Sequence, residues 1–318
     1  MTSINTNTSA MTALANLQST NAMMETTQGR ISTGLRITTA ADNAAYWSIA
    51  ATMKSDNSSL STVKDALGLG AAKVDVAYTA MESATSLVTE IKNKLVAARE
   101  PGVDRGKIGD EIAQLQEQLR SVVGSASFSG ENWLKVDGTG TRATALGTIE
   151  KAIVSSFSRA SDGTVSVGEI TITTSNFVLV DDDGNATNKG GLLDAQTGAS
   201  GGTYAAGVTS GKSVLSFTIA AATTNADMDV LIQEISTVED SMIDATSTLG
   251  SARNRINLQN DFIGNLMDAI DRGVGQLVDA DMTEESSRLK SLQVQQQLGI
   301  QSLSIANANA QNILALFR

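Results

Sequence analysis

The chain of 318 residues contains no cysteine and no histidine. Without cysteine there are no disulfides, thiolate nucleophiles or thiolate metal sites. Without histidine the chain lacks the side chain most used for acid–base chemistry near neutral pH, which is also the commonest ligand of transition metals. Serine–histidine–aspartate hydrolysis and zinc proteolysis are therefore excluded. The composition predicts a protein that is not an enzyme and has no catalytic, metal-binding or cofactor-binding residues.

Positive charge is also scarce, with 23 Lys and Arg against 34 Asp and Glu and a net charge of −11. Binding to a phosphate backbone needs clustered Lys and Arg, so nucleic acid is not an expected partner. No stretch offers the ~20 predominantly apolar residues of a membrane span. Residues 1–18 lack the basic region and the continuous apolar run of a secretory signal peptide. We therefore expect neither membrane insertion nor classical export.

With only one proline in the chain, long helices meet few breaks. Two long heptad registers follow the pattern of a left-handed helical coil. Because neither helix alone buries enough apolar surface to offset its ordering entropy, we expect the two to pack antiparallel. A third, shorter register follows the break at Pro101. The residues predicted to pack in this helical rod are Met53, Leu60, Leu67, Val74, Met81, Val88 and Leu95 in the first register and Ile235, Met242, Leu249, Ile256, Ile263 and Ile270 in the second.

The middle of the chain, from about Trp133 to Ala226, is rich in Gly, Thr, Ser and Ala. Alternating apolar residues predict strands within 165–180 and 213–220. A short helix is predicted over 144–157, and the segment as a whole is expected to be a small β-rich insertion. Gly68 and Gly70 interrupt the first heptad helix, which indicates a close helix approach or a local bend.

Both ends of the chain are unusual in having apolar heptads without charge, before Glu25 and from Ser291 to Phe317. Burying a charge costs far more than burying a hydrogen-bonded amide or hydroxyl. A helix that is apolar on more than one face is also typically surrounded by protein. We therefore predict that the ends pack on each other and on neighbouring copies of the chain. The predicted packing residues are Leu14, Leu17, Met24, Ile31, Leu35, Leu289, Leu292, Leu298, Leu303, Ile305, Ile313, Leu316 and Phe317.

Four segments carry a family resemblance. The segment GRISTGLRITTAADNAAYWSIA, residues 29–50, has a basic-apolar-Ser-Thr-Gly-Leu-Arg-Ile run before a helix start rich in small residues. Together with SINTNTSAMTALANL at 3–17, FSGENWL at 128–134 and QVQQQLGIQSLSIANANAQNILALFR at 293–318, it resembles the signatures of bacterial flagellins. The resemblance covers roughly both outer thirds of the chain.

The resemblance implies a mainly α fold: an elongated antiparallel helical bundle or coiled coil, formed by the N- and C-terminal segments, with the β-rich insertion in the middle. Residues 1–36 with 283–318 would form the filament core, and 37–45 with 274–282 would be connecting segments. Residues 46–134 with 226–273 would form the rod, and 135–225 the variable outward insertion. Gly34, Leu35 and Arg36 would connect core and rod, with Asp42 or Asn43 capping the next helix.

The function implied is that of an extracellular filament subunit for swimming motility, exported unfolded through the flagellar type III pathway. Its implied partners are itself and sister flagellins, an export chaperone, the cap and the hook-junction proteins. A hook–filament junction protein is an alternative, because it shares both ends. A membrane-inserting translocator is a further alternative, against which the Gln and Asn content speaks.

The stretch EIKNKL departs from the resemblance. Many flagellins carry a Gln-Arg-x-Arg-Glu-Leu stretch here, which is read by an animal innate-immune receptor. Because both arginines and the glutamate are replaced, we expect weak recognition by that receptor. The altered stretch comprises Glu90, Ile91, Lys92, Asn93, Lys94 and Leu95.

Overall fold

The computed structural model describes residues 7–136, 150–160, 162–181, 191–194 and 213–316, with the backbone alone for 309–316. Within these ranges the helices are α1 (Thr8–Thr33), α2 (Ala44–Ala98), α3 (Arg105–Ser125), α4 (Asn225–Val278) and α5 (Met282–Leu316). The strands are β1 (Ser127–Phe128), β2 (Glu131–Asn132), β3 (Lys135–Val136), β4 (Glu150–Arg159), β5 (Val165–Thr173) and β6 (Val180–Asp181). The chain divides into two compact units.

One unit comprises Met1–Ser58 and Leu266–Arg318 and contains the α1–α5 pair. Helix α1 begins after Asn7, whose side-chain oxygen accepts a hydrogen bond from the Ala10 N–H. It ends at Gly34, where φ is 70°, a left-handed conformation that glycine adopts without strain. Helix α5 begins after Asp281, whose carboxylate accepts hydrogen bonds from the N–H groups of Thr283 and Glu284.

The other unit, Ser59–Asn265, contains the rest of α2 and α4, together with α3. Cross-helix ion pairs join Asp75 to Arg253 at 2.5 Å and Arg99 to Asp229 at 3.0 Å. The later residue of α2, Arg99, pairs with the earlier residue of α4, Asp229, so the two helices run antiparallel. Helix α3 contributes Ile112 and Leu119, among other side chains, to the buried core of this unit.

The strands form three small pairings. β1 and β2 make a tight hairpin in which Ser129 and Gly130 both have positive φ, and β3 pairs in parallel with β6. β4 and β5 form a longer antiparallel ribbon with an irregularity between Val154 and Ser156. The predicted fold class is confirmed: the protein is mainly helical, its long terminal helices pack together, and its middle insertion contains strands.

Two local predictions in the insertion are wrong. The predicted helix over 144–157 is a strand from Glu150 onward, while 144–149 lie outside the described residues. Its β-branched Ile153 pairs with Ile170 across the ribbon and is buried. Helical spacing of three aliphatic residues was too short a pattern to separate a helix from a strand.

The predicted strand over 213–220 is instead a turn followed by an irregular segment. Its carbonyl groups bond to side chains of α3 rather than to another strand. Gln116 Nε2 donates to the carbonyl oxygens of Val214 and Phe217, at 2.9 and 3.1 Å. Of the predicted strand residues 177–180, only Val180 pairs in a ladder, with Lys135 of β3.

Candidate assembly surface

The α1–α5 pair is the candidate functional site, because both helices carry the uncharged surfaces identified in the sequence. Among the described side chains, three polar contacts cross the pair. Asn7 donates to the Ala306 carbonyl oxygen at 3.0 Å, Gln296 donates to Asn21 Oδ1 at 2.9 Å, and Arg30 donates to Glu285 Oε1 at 3.0 Å. The two helices therefore run antiparallel over the length that these contacts span.

The seam between α1 and α5 is only partly shielded from solvent. Among the described hydrophobic side chains of these two helices, Ala13 and Leu292 are the buried ones. The remaining described seam residues of the predicted set are half-buried: Leu17, Met24, Ile31, Leu35, Leu289 and Leu303. The side chains of Ile313 and Leu316 lie outside the description, as does all of Phe317.

Large apolar side chains also point away from the seam. Of the predicted packing residues, Leu14 is 45% exposed, Leu298 58% and Ile305 63%. Met11 and Met23 are similarly exposed and were missing from the predicted set. A search for apolar residues on α1 outside its heptad positions would have found both methionines. Exposed hydrophobic residues grouped on helices with so few charges are typical of a protein interaction surface.

An open groove of about 980 Å³ lies between the two helices, with Met23, Thr26 and Ser287 among its lining residues. Arg30 and Arg288 also line it. Glu284 lines it as well, so the groove combines apolar and hydroxyl groups with charged side chains of both signs.

Glu285 is the one acidic residue of this pair that is buried in the described structure, with 5% of its surface exposed. Its Oε1 accepts from Arg30 and lies 3.9 Å from Arg288, while its Oε2 has no hydrogen-bond partner. Arg288 also pairs with Glu284 at 3.1 Å. The seam thus contains one buried ionic cluster in otherwise weakly polar surroundings.

The predicted connector residues lie where α1 ends. The Gly34 carbonyl oxygen accepts from the Ala280 N–H at 2.9 Å, and Leu35 forms an antiparallel bridge with Asp279. The Arg36 guanidinium donates to the Leu277 carbonyl oxygen at 3.0 Å. A small cluster of Ile37, Ala50, Val274 and Val278 is buried beside this bridge.

The two residues directly before α2, Asp42 and Asn43, each fix part of the backbone there with a side-chain oxygen. Asn43 caps α2, because its side-chain oxygen accepts from the Tyr46 N–H. Asp42 stabilises the preceding turn, and hydrogen bonds from the backbone and hydroxyl groups of Thr39 and Thr38 hold the pKa of this carboxyl below its usual range. Of the two predicted alternatives, Asn43 is therefore the helix cap and Asp42 is a turn residue.

The predicted rod residues lie along α2 and α4. Met53 and Ile270 are partly buried and pack against the cluster beside the connector. The others are buried: Leu60, Leu67, Val74, Met81, Val88, Leu95, Ile235, Met242, Leu249, Ile256 and Ile263.

Both lysines of the EIKNKL stretch are engaged within the chain. Lys92 pairs with Glu239 of α4, and Lys94 donates to Glu111 of α3 at 2.6 Å. Ile91 and Leu95 of the same stretch are fully buried, while Glu90 and Asn93 are exposed. The stretch therefore packs inside its own unit through four of its six residues.

Across the part of the chain that the structure covers, no acidic side chains are grouped closely enough to hold a metal ion. Over the same ranges, no helix combines the length and the apolar character needed to cross a membrane.

Comparison with known proteins identifies both ends of the chain. The family model described as the bacterial flagellin N-terminal helical region matches residues 4–139, and the one for the C-terminal helical region matches residues 232–317. The chain is 52% identical over 328 aligned positions to flagellin C of Rhizobium meliloti (strain 1021), covering 100% of both chains. It is 43% identical over 401 positions to flagellin D of Rhizobium meliloti, again with full coverage of both. A flagellin of Brucella melitensis biotype 1 is 42% identical over 319 positions, with full coverage of both. The chain therefore belongs to the bacterial flagellin family, whose members are the structural subunits of the extracellular flagellar filament.

Proposed function

We propose that the exposed apolar surfaces of α1 and α5 form the core of the filament by packing against the same helices of neighbouring copies. The observation that carries this proposal is the exposure of Leu14, Leu298 and Ile305 on the parts of these helices that have no charged side chains, before Glu25 and from Ser291 onward. Removing such side chains from water is favourable by about 25 cal/mol per Å² of apolar surface. These side chains stay in contact with water in a single chain, so the favourable free energy of burying them is gained only on polymerisation.

The remaining organisation of the subunit belongs to the same proposal. Residues 1–36 with 283–318 line the filament core, 46–134 with 226–273 form the tube around it, and 135–225 face outward. The subunit is exported unfolded through the flagellar pathway, is held by a chaperone before export, and is added under a cap to a filament joined to the hook by junction proteins. It acts without catalysis, and sister flagellins join it in the same filament.

The test is a single charge on an exposed apolar position. Leu298→Asp places a carboxylate where the free subunit is solvated, so the monomer keeps its helical content by circular dichroism. Assembly would bury that carboxylate without a partner, which is strongly unfavourable. We expect no filaments by electron microscopy in salt-induced assembly, whereas Leu298→Gln, which resembles the glutamines already on α5, still assembles. Normal filaments from Leu298→Asp would refute the proposed core.

Copy number distinguishes the filament subunit from the alternative, a hook–filament junction protein. A junction protein is present in a few copies per filament, whereas a filament subunit forms a continuous lattice. Immunogold labelling of cells along the whole filament length supports the filament subunit. Label confined to the base would select the junction protein.

We also propose that the animal innate receptor for flagellin responds weakly to this chain. Lys94 replaces the glutamate of that stretch, and Lys92 lies between the two replaced arginines. Both lysines are held in ion pairs, with Glu111 and Glu239 respectively. A reporter-cell assay with purified monomer should give a small response, with a flagellin that carries the Gln-Arg-x-Arg-Glu-Leu stretch as the positive control. A full response would contradict the proposal.

A further inference from the structure

The seam between α1 and α5 specifies its own register poorly. The residues that α5 contributes, such as Gln296, Gly299 and Ala306, are small or uncharged, and most of those facing them are half-buried. A slide of one heptad replaces one small or uncharged residue by another. In helical coils of this kind, a polar group at a core position is what fixes the register, because wrong alignments leave it without a partner.

The cluster around Glu285 has the features of such a group. Its carboxylate is buried, and its Oε1 lies 3.0 Å from Arg30 Nη1 on the other helix. Arg288 is on the same helix as Glu285 and would move with it, so Arg30 alone distinguishes one register from another. After a slide of one heptad, Glu285 would face either Met23 or Ile37, and neither side chain offers a cation. The cation next to Ile37, Arg36, already donates to the Leu277 carbonyl oxygen. The carboxylate would keep only Arg288, which is 3.9 Å away and also pairs with Glu284, and the loss of its closer partner is strongly unfavourable for a buried charge.

The two other cross-helix polar contacts discriminate less. The hydrogen bond between Gln296 and Asn21 is exposed, so water replaces either partner. Asn7 donates to a backbone carbonyl oxygen, that of Ala306, and every turn of α5 offers an equivalent oxygen. The ion pair between Arg30 and Glu285 is thus the contact that a slide would break without offering another partner-helix cation in its place.

We propose that the Arg30–Glu285 pair is a positioning element, which selects the register in which α1 and α5 meet as the filament core forms. The inference rests on the proposed packing of these helices in the filament. The pair sets the alignment of the two helices and does not add to the stability of the filament, because aliphatic residues in its place would keep the seam apolar.

Because the chain has no cysteine, engineered cysteine pairs report the register directly. A Cβ built on Gly299 lies 3.9 Å from the Leu17 Cβ, within the range of a disulfide. The pair Leu17→Cys with Gly299→Cys therefore reports the native register. The pairs Leu17→Cys with Leu292→Cys and Leu17→Cys with Ala306→Cys report slides in the two directions, because seven helical residues are about 10 Å and too far for a disulfide in the native register.

The measurement compares the parent with Arg30→Leu/Glu285→Leu, each carrying one cysteine pair and assembled with an excess of cysteine-free parent chain. In the parent we expect the native crosslink and background levels of the other two. In the leucine variant we expect the ratio of slipped to native crosslink to rise about tenfold or more. A purely structural role would lower all three crosslinks together and leave the ratio unchanged. Arg253→Leu/Asp75→Leu, which removes an ion pair between α2 and α4, serves as the control and should leave the ratio at the parent value.

An unchanged ratio in the leucine variant would overturn the inference. So would exclusion of that variant from filaments that accept the control, because the pair would then be required for assembly itself. Failure of the parent chain to form filaments would count against the proposed function instead, so the two failures are distinguishable.

Discussion

Two antiparallel helix pairs in this protein share a heptad pattern and differ in how much of it they bury. Along α2 and α4, Leu67, Met81 and Leu249 are among the side chains with no exposed surface. Along α1 and α5, within the described residues, Leu292 is the one large hydrophobic side chain that reaches the buried class. The same periodicity in sequence therefore produces a closed core in one pair and an open seam in the other.

The difference follows from what else packs on each pair. The α2–α4 pair is covered by α3, whose Gln116 and Arg120 bond the 213–220 segment, and by the β4–β5 ribbon. Its solvent side carries ion pairs such as Asp75–Arg253. The α1–α5 pair has a largely uncharged outer surface with exposed Leu298 and Ile305. The α2–α4 pair thus closes its core within one chain, although Leu258 and Phe262 of α4 stay exposed. The contrast in seam burial supports the proposal that the α1–α5 pair is part of an interface.

The largest expected consequence is in limited proteolysis of the free subunit. The open α1–α5 seam should unfold locally far more often than the closed α2–α4 core. We expect protease to remove roughly the first and last thirty-odd residues and to leave a resistant fragment. The same digestion of assembled filaments should leave the ends intact, because neighbouring copies cover them. Equal resistance of the ends and the fragment in the free subunit would remove the contrast between the pairs.

Matched leucine truncations measure the contrast in free energy. Leu249→Ala empties a fully buried position and should lower the free energy of unfolding of the subunit by about 2–5 kcal/mol. Leu14→Ala acts on a side chain that is 45% exposed and should change it by about 0.5 kcal/mol or less. Urea unfolding followed by circular dichroism gives both values. Similar losses from the two truncations would mean that the terminal seam is as well packed as the rod.

The helical part of this contrast could be predicted from the sequence. Seven apolar residues at heptad spacing, from Met53 to Leu95, with no proline between them, predict a long helix. The absence of charge at the two ends of the chain predicts an incomplete surface there. Gly34 ends α1 as its sequence context predicts. These features depend on local periodicity, which a single sequence contains.

The insertion and the ionic cluster could not be predicted in the same way. Whether Ile153 belongs to a helix or a strand depends on its partner Ile170 and on the helix surface it meets, which are distant in sequence. Likewise, nothing near Glu285 indicates that Arg30, 255 residues away in the chain, is its partner. Non-local contacts decide both, and local patterns do not encode them.

The glycines test how closely each pair is covered. A Cβ on Gly70 would lie 2.4 Å from Ile153 Cγ2, so Gly70→Ala should destabilise the subunit by about 1–3 kcal/mol despite better helix propensity. Gly68 has no neighbour within 4 Å, so Gly68→Ala should stabilise it by up to about 1 kcal/mol. In the open pair, a Cβ on Gly299 would lie 3.3 Å from Leu17 Cδ1, the end of a flexible side chain, and 3.9 Å from its Cβ, so Gly299→Ala should be tolerated. Thermal unfolding of the three variants gives the order, and Ile153→Ala should rescue Gly70→Ala.

The smallest expected effect concerns acid and the carboxylate of Glu131 in the α2–α4 unit. Glu131 accepts hydrogen bonds from Lys151 and Lys73, both at 2.6 Å, and these lysines lower the pKa of Glu131 to about 2. Because the folded pKa lies below the unfolded value near 4.5, this carboxylate stabilises the fold above about pH 4.5. The stabilisation is lost as the pH falls from there towards 2.

Replacing the carboxylate should remove that part of the acid response. The Glu131 side chain is 38% exposed, so solvent screening reduces the expected contribution to about 1 kcal/mol. Glu131→Gln should therefore lower the free energy of unfolding by about that amount at pH 7 and by much less at pH 2. Glu111→Gln is the control, because its ion pair with Lys94 is more exposed and should matter less. Urea unfolding at a series of pH values measures the difference, and a gap between parent and Glu131→Gln that stays constant down to pH 2 would show that the two lysine contacts do not stabilise the charged form.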